Sequence, residues 1–217
     1  MFHIRRLGNC LAGLTAAALL FAGGVASAQV SIVEYEAAAA VMGKANAGDK
    51  SLVPVAVEAF TKLNKQDPSN AVVLVNLGAV TSMMARTTML PWKKISYAED
   101  GMALQDKALA MLNASTEKVV YDGVETGLRV KFIAANTFVA VPSFFNRGAQ
   151  GTKLMADVQS SQSFEAAPLA FKGAVWLRAA KLAAEQKKPD DAKALATKVL
   201  EANAPQADAA KSLIQTL

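Results

Sequence analysis

A chain of 217 residues is long enough for one sizeable core or a short solenoid, and 53% of it is hydrophobic, much of that alanine, which favours helix. Its formal charge of +5 becomes +3 once residues 1–28 are set aside, because the two charges of Arg5 and Arg6 leave and no acidic residue precedes Gln29. So weak a positive balance excludes any argument for nucleic acid as a partner.

Arg5 and Arg6 precede an apolar run, Leu11 to Val25, broken only by small residues and followed by Ala26-Ser27-Ala28. Basic residues, an apolar stretch and an Ala-x-Ala site in that order predict a secretory signal peptide over residues 1–28, cleaved after Ala28. The mature chain is then periplasmic or secreted. The run is short and glycine-interrupted for a membrane span, so a retained anchor is the weaker reading. Cys10 stands before the run, where a lipid-anchored cysteine would follow it, and Leu7-Gly8-Asn9 lacks the apolar pair expected after a twin-arginine signal. Cleavage would remove the only cysteine, Cys10, and the only histidine, His3. No disulfide, thiol nucleophile, Ser-His-Asp triad or His/Cys metal site could then form, and packing alone must hold the fold.

The first helix is expected over Glu34 to Ala47, ended by Gly48-Asp49, with Gly43 as its point of close approach to a second helix, Leu52 to Lys65. Pro54 falls near the start of that second helix, where a missing N–H costs little. Ala56, Phe60 and Leu63 recur there at helical spacing. Asp67-Pro68-Ser69-Asn70 stops one helix and starts the next, which carries Leu74, Leu77 and Gly78 and runs to about Ala85. Helices joined by so short a turn pack antiparallel. Small residues at Ala56 and Gly78 let helix axes approach, and Phe60 fills the space beside them.

A fourth helix is expected from Ala98 or Glu99 through Leu104, Ala108, Met111 and Leu112. Before it, Arg86 to Asp100 reads as a long insertion, either functional or packed back as a lid. It offers Trp92 and Tyr97 for contact area, Arg86, Lys93 and Lys94 for charge, and Pro91 for stiffness; aromatic and arginine anchors dominate binding energy at interfaces. The alternative is that Leu90 and Trp92 plug the end of the core. After a polar connector, Asn113 to Gly123, a helix from Val124 to Val141 carries Leu128, Phe132, Ala135 and Val139 on one face and Val130, Ile133 and Phe138 on the others. A helix apolar nearly all round is buried, or lines a groove that something else fills.

Pro142 ends that helix, Phe144 and Phe145 form a corner, and a shorter helix follows over Gln150 to Gln159, broken at Ser160-Ser161-Gln162-Ser163. A long helix is expected from about Phe164 to Gln186, then a turn at Lys187-Lys188-Pro189-Asp190, then a helix burying Ala192, Ala196 and Val199. Gln206 to Leu217 reads as a terminal helix, and no stretch reads as a convincing strand.

Two stretches resemble the tetratricopeptide repeat. In the first, Ala56, Phe60, Leu63, Pro68, Leu74, Leu77 and Gly78 follow the family order, with leucine where tryptophan is commonest and Thr81 where tyrosine is. In the second, Trp176, Ala179, Ala180, Ala192, Ala196 and Pro205 do so again. The spacing from Gly43 to Ala56 is one residue longer than the repeat usually has, and a generic antiparallel hairpin would need small residues at its crossing too. The resemblance implies an exported bacterial all-α protein whose residues 29–217 form antiparallel hairpins in a short right-handed solenoid with degenerate central repeats, covered at its end by the terminal helix. Such domains mostly bind polypeptides on a concave surface lined by their first helices.

Catalysis finds no footing in this sequence. Glu34 and Glu36 would diverge on a helix, and Glu99-Asp100 and Asp190-Asp191 sit at helix starts, where acids favour the dipole. Met83, Met84 and Met89 lack the histidine or cysteine that soft-metal chemistry wants, and packing accounts for them. No metal, cofactor or enzymatic activity is expected. The expected function is an adaptor or scaffold that binds a protein partner in the cell envelope, with room for peripheral contact with a membrane complex. The alternative is a carrier holding a small apolar ligand or lipid between the Val124 to Val141 helix and its neighbours.

Overall fold

The structure, a computed structural model, describes residues 29–121 and 123–217. The expected signal peptide, its cleavage site, His3 and Cys10 lie outside the described residues. Among them ten α-helices form: α1 Ile32–Asn46, α2 Leu52–Gln66, α3 Ala71–Met83, α4 Pro91–Ala110, α5 Thr126–Ala140, α6 Gly148–Gln159, α7 Gln162–Glu165, α8 Leu169–Glu185, α9 Pro189–Glu201 and α10 Ala207–Ile214. The fold is all-α. The connector before α5 adds a two-residue antiparallel pairing in which Val120 faces Glu125 and Tyr121 faces Val124.

Side chains at the helix starts explain several of these boundaries. The Ser31 oxygen accepts the Glu34 N–H at 3.2 Å, and its hydroxyl donates to the Glu34 carboxylate at 3.0 Å. That hydroxyl is the main cause holding the Glu34 carboxyl below its ordinary pKa. Asn70 starts α3 by accepting the N–H groups of Val72 and Val73 at 3.1 and 3.2 Å. Prolines open α4 and α9, where the first helical N–H has no partner to lose.

The helices pack as consecutive pairs, α1 on α2, α3 on α4, α5 on α6 and α8 on α9, with α10 covering α9. Ten of the thirteen residues of α3 are buried, so it is enclosed rather than amphipathic. Around it the largest core collects Val53, Phe60 and Leu63 of α2, Met102 and Ala108 of α4, and Val130 and Phe138 of α5. A second core joins α5 to α6, α7 and α8 through Leu128, Met155, Phe164 and Val175. A third lies among α8, α9 and α10, from Leu177 and Ala180 to Ala196, Val199 and Ala210.

Two glycines set the closest crossing. A Cβ on Gly78 would lie 2.6 Å from the Gly101 carbonyl oxygen, and one on Gly101 would lie 2.5 Å from the Gly78 oxygen. No side chain fits at either, so α3 and α4 touch backbone to backbone. Ala56, Phe60, Leu63, Leu74 and Leu77 are buried in the first core, Ala180 and Ala196 in the third, and Ala192 is also fully buried, while Trp176 is half-buried between the second and third.

Four expectations need correction. Helix α4 begins at Pro91 rather than near Ala98, and Lys94 N–H already donates to the Leu90 carbonyl at 3.1 Å, so Trp92 to Asp100 is regular helix and not an insertion loop. The proline expected to stiffen a loop instead starts a helix, its fixed φ suiting the first helical position. Gly43 is not a point of close approach: a Cβ there meets nothing within 4 Å, because the buried stripe of α1 runs through Tyr35, Ala38 and Ala45 and leaves Gly43 outside. The helix expected from Phe164 to Gln186 is two, α7 and α8, divided at Pro168, which keeps Ala167 from the helical conformation. Finally, a strand pairing forms where no strand is expected: Val124 and Glu125, expected to begin the helix, pair with Val120 and Tyr121, and α5 starts at Thr126.

Gly78→Ala is expected to destabilise the fold by about 1–3 kcal/mol, since α3 and α4 must separate. Gly43→Ala, in an open helical position, is expected to stabilise by roughly 0.5–1 kcal/mol. Urea denaturation of the two variants checks the pair, and the reverse order would contradict the crossing. Phe60→Ala is expected to cost about 3–5 kcal/mol in the same measurement.

Candidate partner-binding groove

Where α1, α3, α4 and α5 converge they leave an apolar trough of about 690 Å³, open to solvent. Met42 and Asn46 come from α1, Ala79, Ser82 and Met83 from α3, Pro91, Lys94, Ile95 and Ala98 from α4, and Phe132, Ile133, Asn136, Thr137 and Ala140 from α5. Val141, Pro142, Phe144 and Phe145 close one end. A second hollow of about 460 Å³, lined by Tyr35, Glu36, Asn76, Arg129 and Phe171, shares Met42, Phe132 and Ile133 with the first. One trough therefore follows α5 past the first helix of each pair, α1, α3 and α8, with the start of α4 as an added wall.

Local packing fixes this shape. Alanines at 79, 98 and 140 keep it wide, and Phe132 stands edge-on to Phe171 with centroids 5.4 Å apart. Its polar groups are mostly engaged from behind: Asn136 accepts from Arg178 Nε at 3.1 Å, and Thr137 accepts from the buried Gln105 amide at 2.8 Å. Beneath the second hollow, Tyr35 accepts from Asn76 and from Arg129, each at 3.3 Å, tying α1 to α3 and α5. Ser82 Oγ is buried without a hydrogen-bond partner.

The closing corner is equally held. Asn146 takes a left-handed conformation, φ 56°, ending the turn that carries Phe144 and Phe145. Next to it, Arg147 grips Asp106 of α4 with two N–H donors, one at 3.0 Å to Oδ1 and the other to Oδ2, and its guanidinium lies 4.8 Å from the Phe138 ring centroid. A bidentate pair of this kind adds geometry as well as energy. It locks the corner to α4 and α5, leaving Phe144 62% exposed at the trough mouth while Phe145 packs on the first core.

The charge pattern is one-sided. Arg86 and Lys94 are the only charged residues lining the larger hollow, and neither is in an ion pair among the described residues. Of the residues that sequence singled out for contact, these two meet at the trough. Trp92, Lys93 and Tyr97 do not line it; they sit on the first turns of α4, Tyr97 half-buried and Trp92 65% exposed. Trp92 thus plugs no core, and that alternative is set aside.

Sequence reasoning missed Met42, Ala79, Ile95 and Ala140, which come together only through the tertiary fold. It held a signal for Phe132 and Ile133, since α5 is apolar on more sides than one core can cover. Met83 is buried against the trough and Met89 is 87% exposed. Among the described residues no group of three or more His, Cys, Asp or Glu side chains could hold a metal ion. Comparison with family models, with curated proteins and with solved structures finds no match.

Proposed function

We propose that the protein is an adaptor or scaffold that binds an apolar segment of another polypeptide in the trough along α5, within the cell envelope. The observation that carries this reading is the trough itself: an apolar surface on four helices, left open to solvent in a chain whose large apolar side chains are mostly buried or half-buried. Its walls come mainly from the first helix of each pair, the surface tetratricopeptide domains use for polypeptides, and an amphipathic helix or an extended segment would lay its apolar side there.

The repeat reading rests on Ala56, Phe60, Leu63, Leu74, Leu77 and Gly78 at one junction and Trp176, Ala180, Ala192 and Ala196 at the other, with residues 29–217 as one solenoid whose central repeats are degenerate. The partner, on this reading, reaches Arg86 and Lys94 at the trough mouth. A second reading draws on the same two cations: a carrier whose apolar ligand has an anionic end. No catalytic role is assigned to any residue.

The test is a photo-cross-linker at Ala140, exposed in the trough, and another at Lys193, exposed on α9, each in the exported protein in its native envelope. One polypeptide captured from 140 and not from 193 is the expected result, with capture reduced tenfold or more when Ile133→Lys is added. Lipid adducts in place of polypeptide would favour the carrier, and equal capture from both positions would remove the trough from consideration.

A further inference from the structure

Met89, Leu90, Trp92 and Ile95 are four large apolar side chains exposed within seven residues, Met89 87% and Trp92 65%. They occupy the turn after the short 3-10 segment Met84–Arg86 and the first turns of α4, an exposed corner beside the trough residues Pro91 and Lys94. Met89, Leu90, Trp92 and Lys93 line none of the hollows described above, so a partner seated in the trough leaves them uncovered. Arg86, Lys93 and Lys94 surround them, and none of the three is in an ion pair among the described residues.

The carboxylates of α4 form no ion pair with the corner among the described residues. Along α4 the first is Glu99, seven residues or roughly 10 Å beyond Trp92. Asp100 accepts the Ser96 hydroxyl at 3.3 Å, and Asp106 is held by Arg147. Part of the turn is paired within itself: the Thr87 N–H and hydroxyl both donate to the Met84 carbonyl, at 3.0 and 2.8 Å, and the Leu90 N–H donates to Thr88 Oγ1 at 3.2 Å. A main chain paired in this way enters a medium poorer in water without leaving those donors bare.

We propose that this corner docks on an anionic lipid bilayer surface, with Met89, Leu90 and Trp92 entering the interface and Arg86, Lys93 and Lys94 over lipid phosphates. Indole is amphipathic and settles at the headgroup level. Unpaired cations beside exposed apolar tips are the combination that holds peripheral proteins to acidic membranes. A bilayer suits an exposed corner, because it needs no complementary pocket, whereas a protein hot spot wants an anchor seated in one. The contact is peripheral, since among the described residues no helix is long and apolar enough to cross a membrane. Met89, Leu90, Trp92 and Lys93 are free for this docking whatever fills the trough, while Arg86 and Lys94 also line it, so the docking would set the trough mouth beside the lipid surface.

The experiment mixes the exported protein, purified from its native envelope, with vesicles of phosphatidylcholine alone or with a one-third share of phosphatidylglycerol, each carrying bromine on the acyl chains, and follows tryptophan quenching. The protein has two tryptophans, Trp92 and Trp176, so the part of the signal lost in Trp92→Phe reports the corner alone. That part is expected to be quenched only by the anionic vesicles and to fade at high salt. Read by co-sedimentation with the same vesicles, Lys93→Gln is expected to weaken partitioning about fivefold, and Met89→Ser with Trp92→Ser by more than about tenfold, with melting temperatures unchanged at these exposed sites. Absence of Trp92 quenching, equal quenching by both vesicles, or undiminished partitioning of the double serine variant would each overturn the proposal. A concentration-dependent dimer abolished by the double variant, without quenching, would overturn it in favour of a second copy of the chain.

Discussion

Helix α4 lies against α3 at a separation that admits no side chain, and this contact positions the walls of the open apolar trough. With Gly78 and Gly101 each turned into the other's carbonyl oxygen, the two backbones meet, and the side chains around them must find space elsewhere. Gln105, one turn beyond Gly101, is fully buried by that approach and reaches Thr137, so the crossing also sets where α5 can lie. Beyond the crossing α4 continues toward its N-terminus past the end of α3. Lys94, Ile95 and Ala98 become one wall of the trough and α5 the other. The separation of α3 and α4 behind the trough is thus set by two residues that do not line it.

Helix α5 answers to two cores. Val130, Ala134 and Phe138 pack toward α3, Leu128 and Ala135 toward α6 and α8, and the remaining sides, with Phe132 and Ile133, are only half-covered. Each square ångström of apolar surface left in water forgoes about 25 cal/mol of stabilisation. A chain rich in alanine and held by packing has little of that stabilisation to forgo. That it leaves this surface open, while pinning the Phe144 corner with the Asp106–Arg147 pair and the trough base with Tyr35, Asn76 and Arg129, is the reason for treating the trough as built for an occupant and not as a packing defect.

Sequence made the helices legible where turns were sharply punctuated and faces were buried. Asp67 to Asn70 and Lys187 to Asp190 announce their turns, and Phe60, Leu63 and Val199 their buried sides. Hydrophobic periodicity reports burial, however, and not helix as such. None of residues 91–97 is buried, because this part of α4 projects past its partner, so no stripe exists to find and the segment resembles a loop. Proline compounds the difficulty, since the same residue that ends a helix also opens one; Pro91 opens α4, and Pro168 divides what an apolar run from Phe164 to Gln186 suggests is continuous. Gly43 shows the converse limit. A glycine says only that a side chain is absent, and whether a neighbouring helix uses that absence is decided by the face it occupies.

Communication between the trough and the C-terminal helices has a narrow physical route. The third core, from Leu177 to Ala210, shares no residue with the trough, and α8 reaches the trough through Phe171, which lines it, and Arg178, which holds Asn136 from behind. From Phe132 the rings run to Phe171, Phe164 and Trp176, with successive centroids 5.4, 6.4 and 5.9 Å apart, each pair steeply inclined. Close-packed rings transmit displacement only if they have a second arrangement to move into. Phe164 is buried at the middle of this file, and filling the trough beside Phe132 gives it no space to turn. The file therefore acts as a stiff abutment, and an occupant's binding energy goes to the helices that form the trough while α9 and α10 keep their packing.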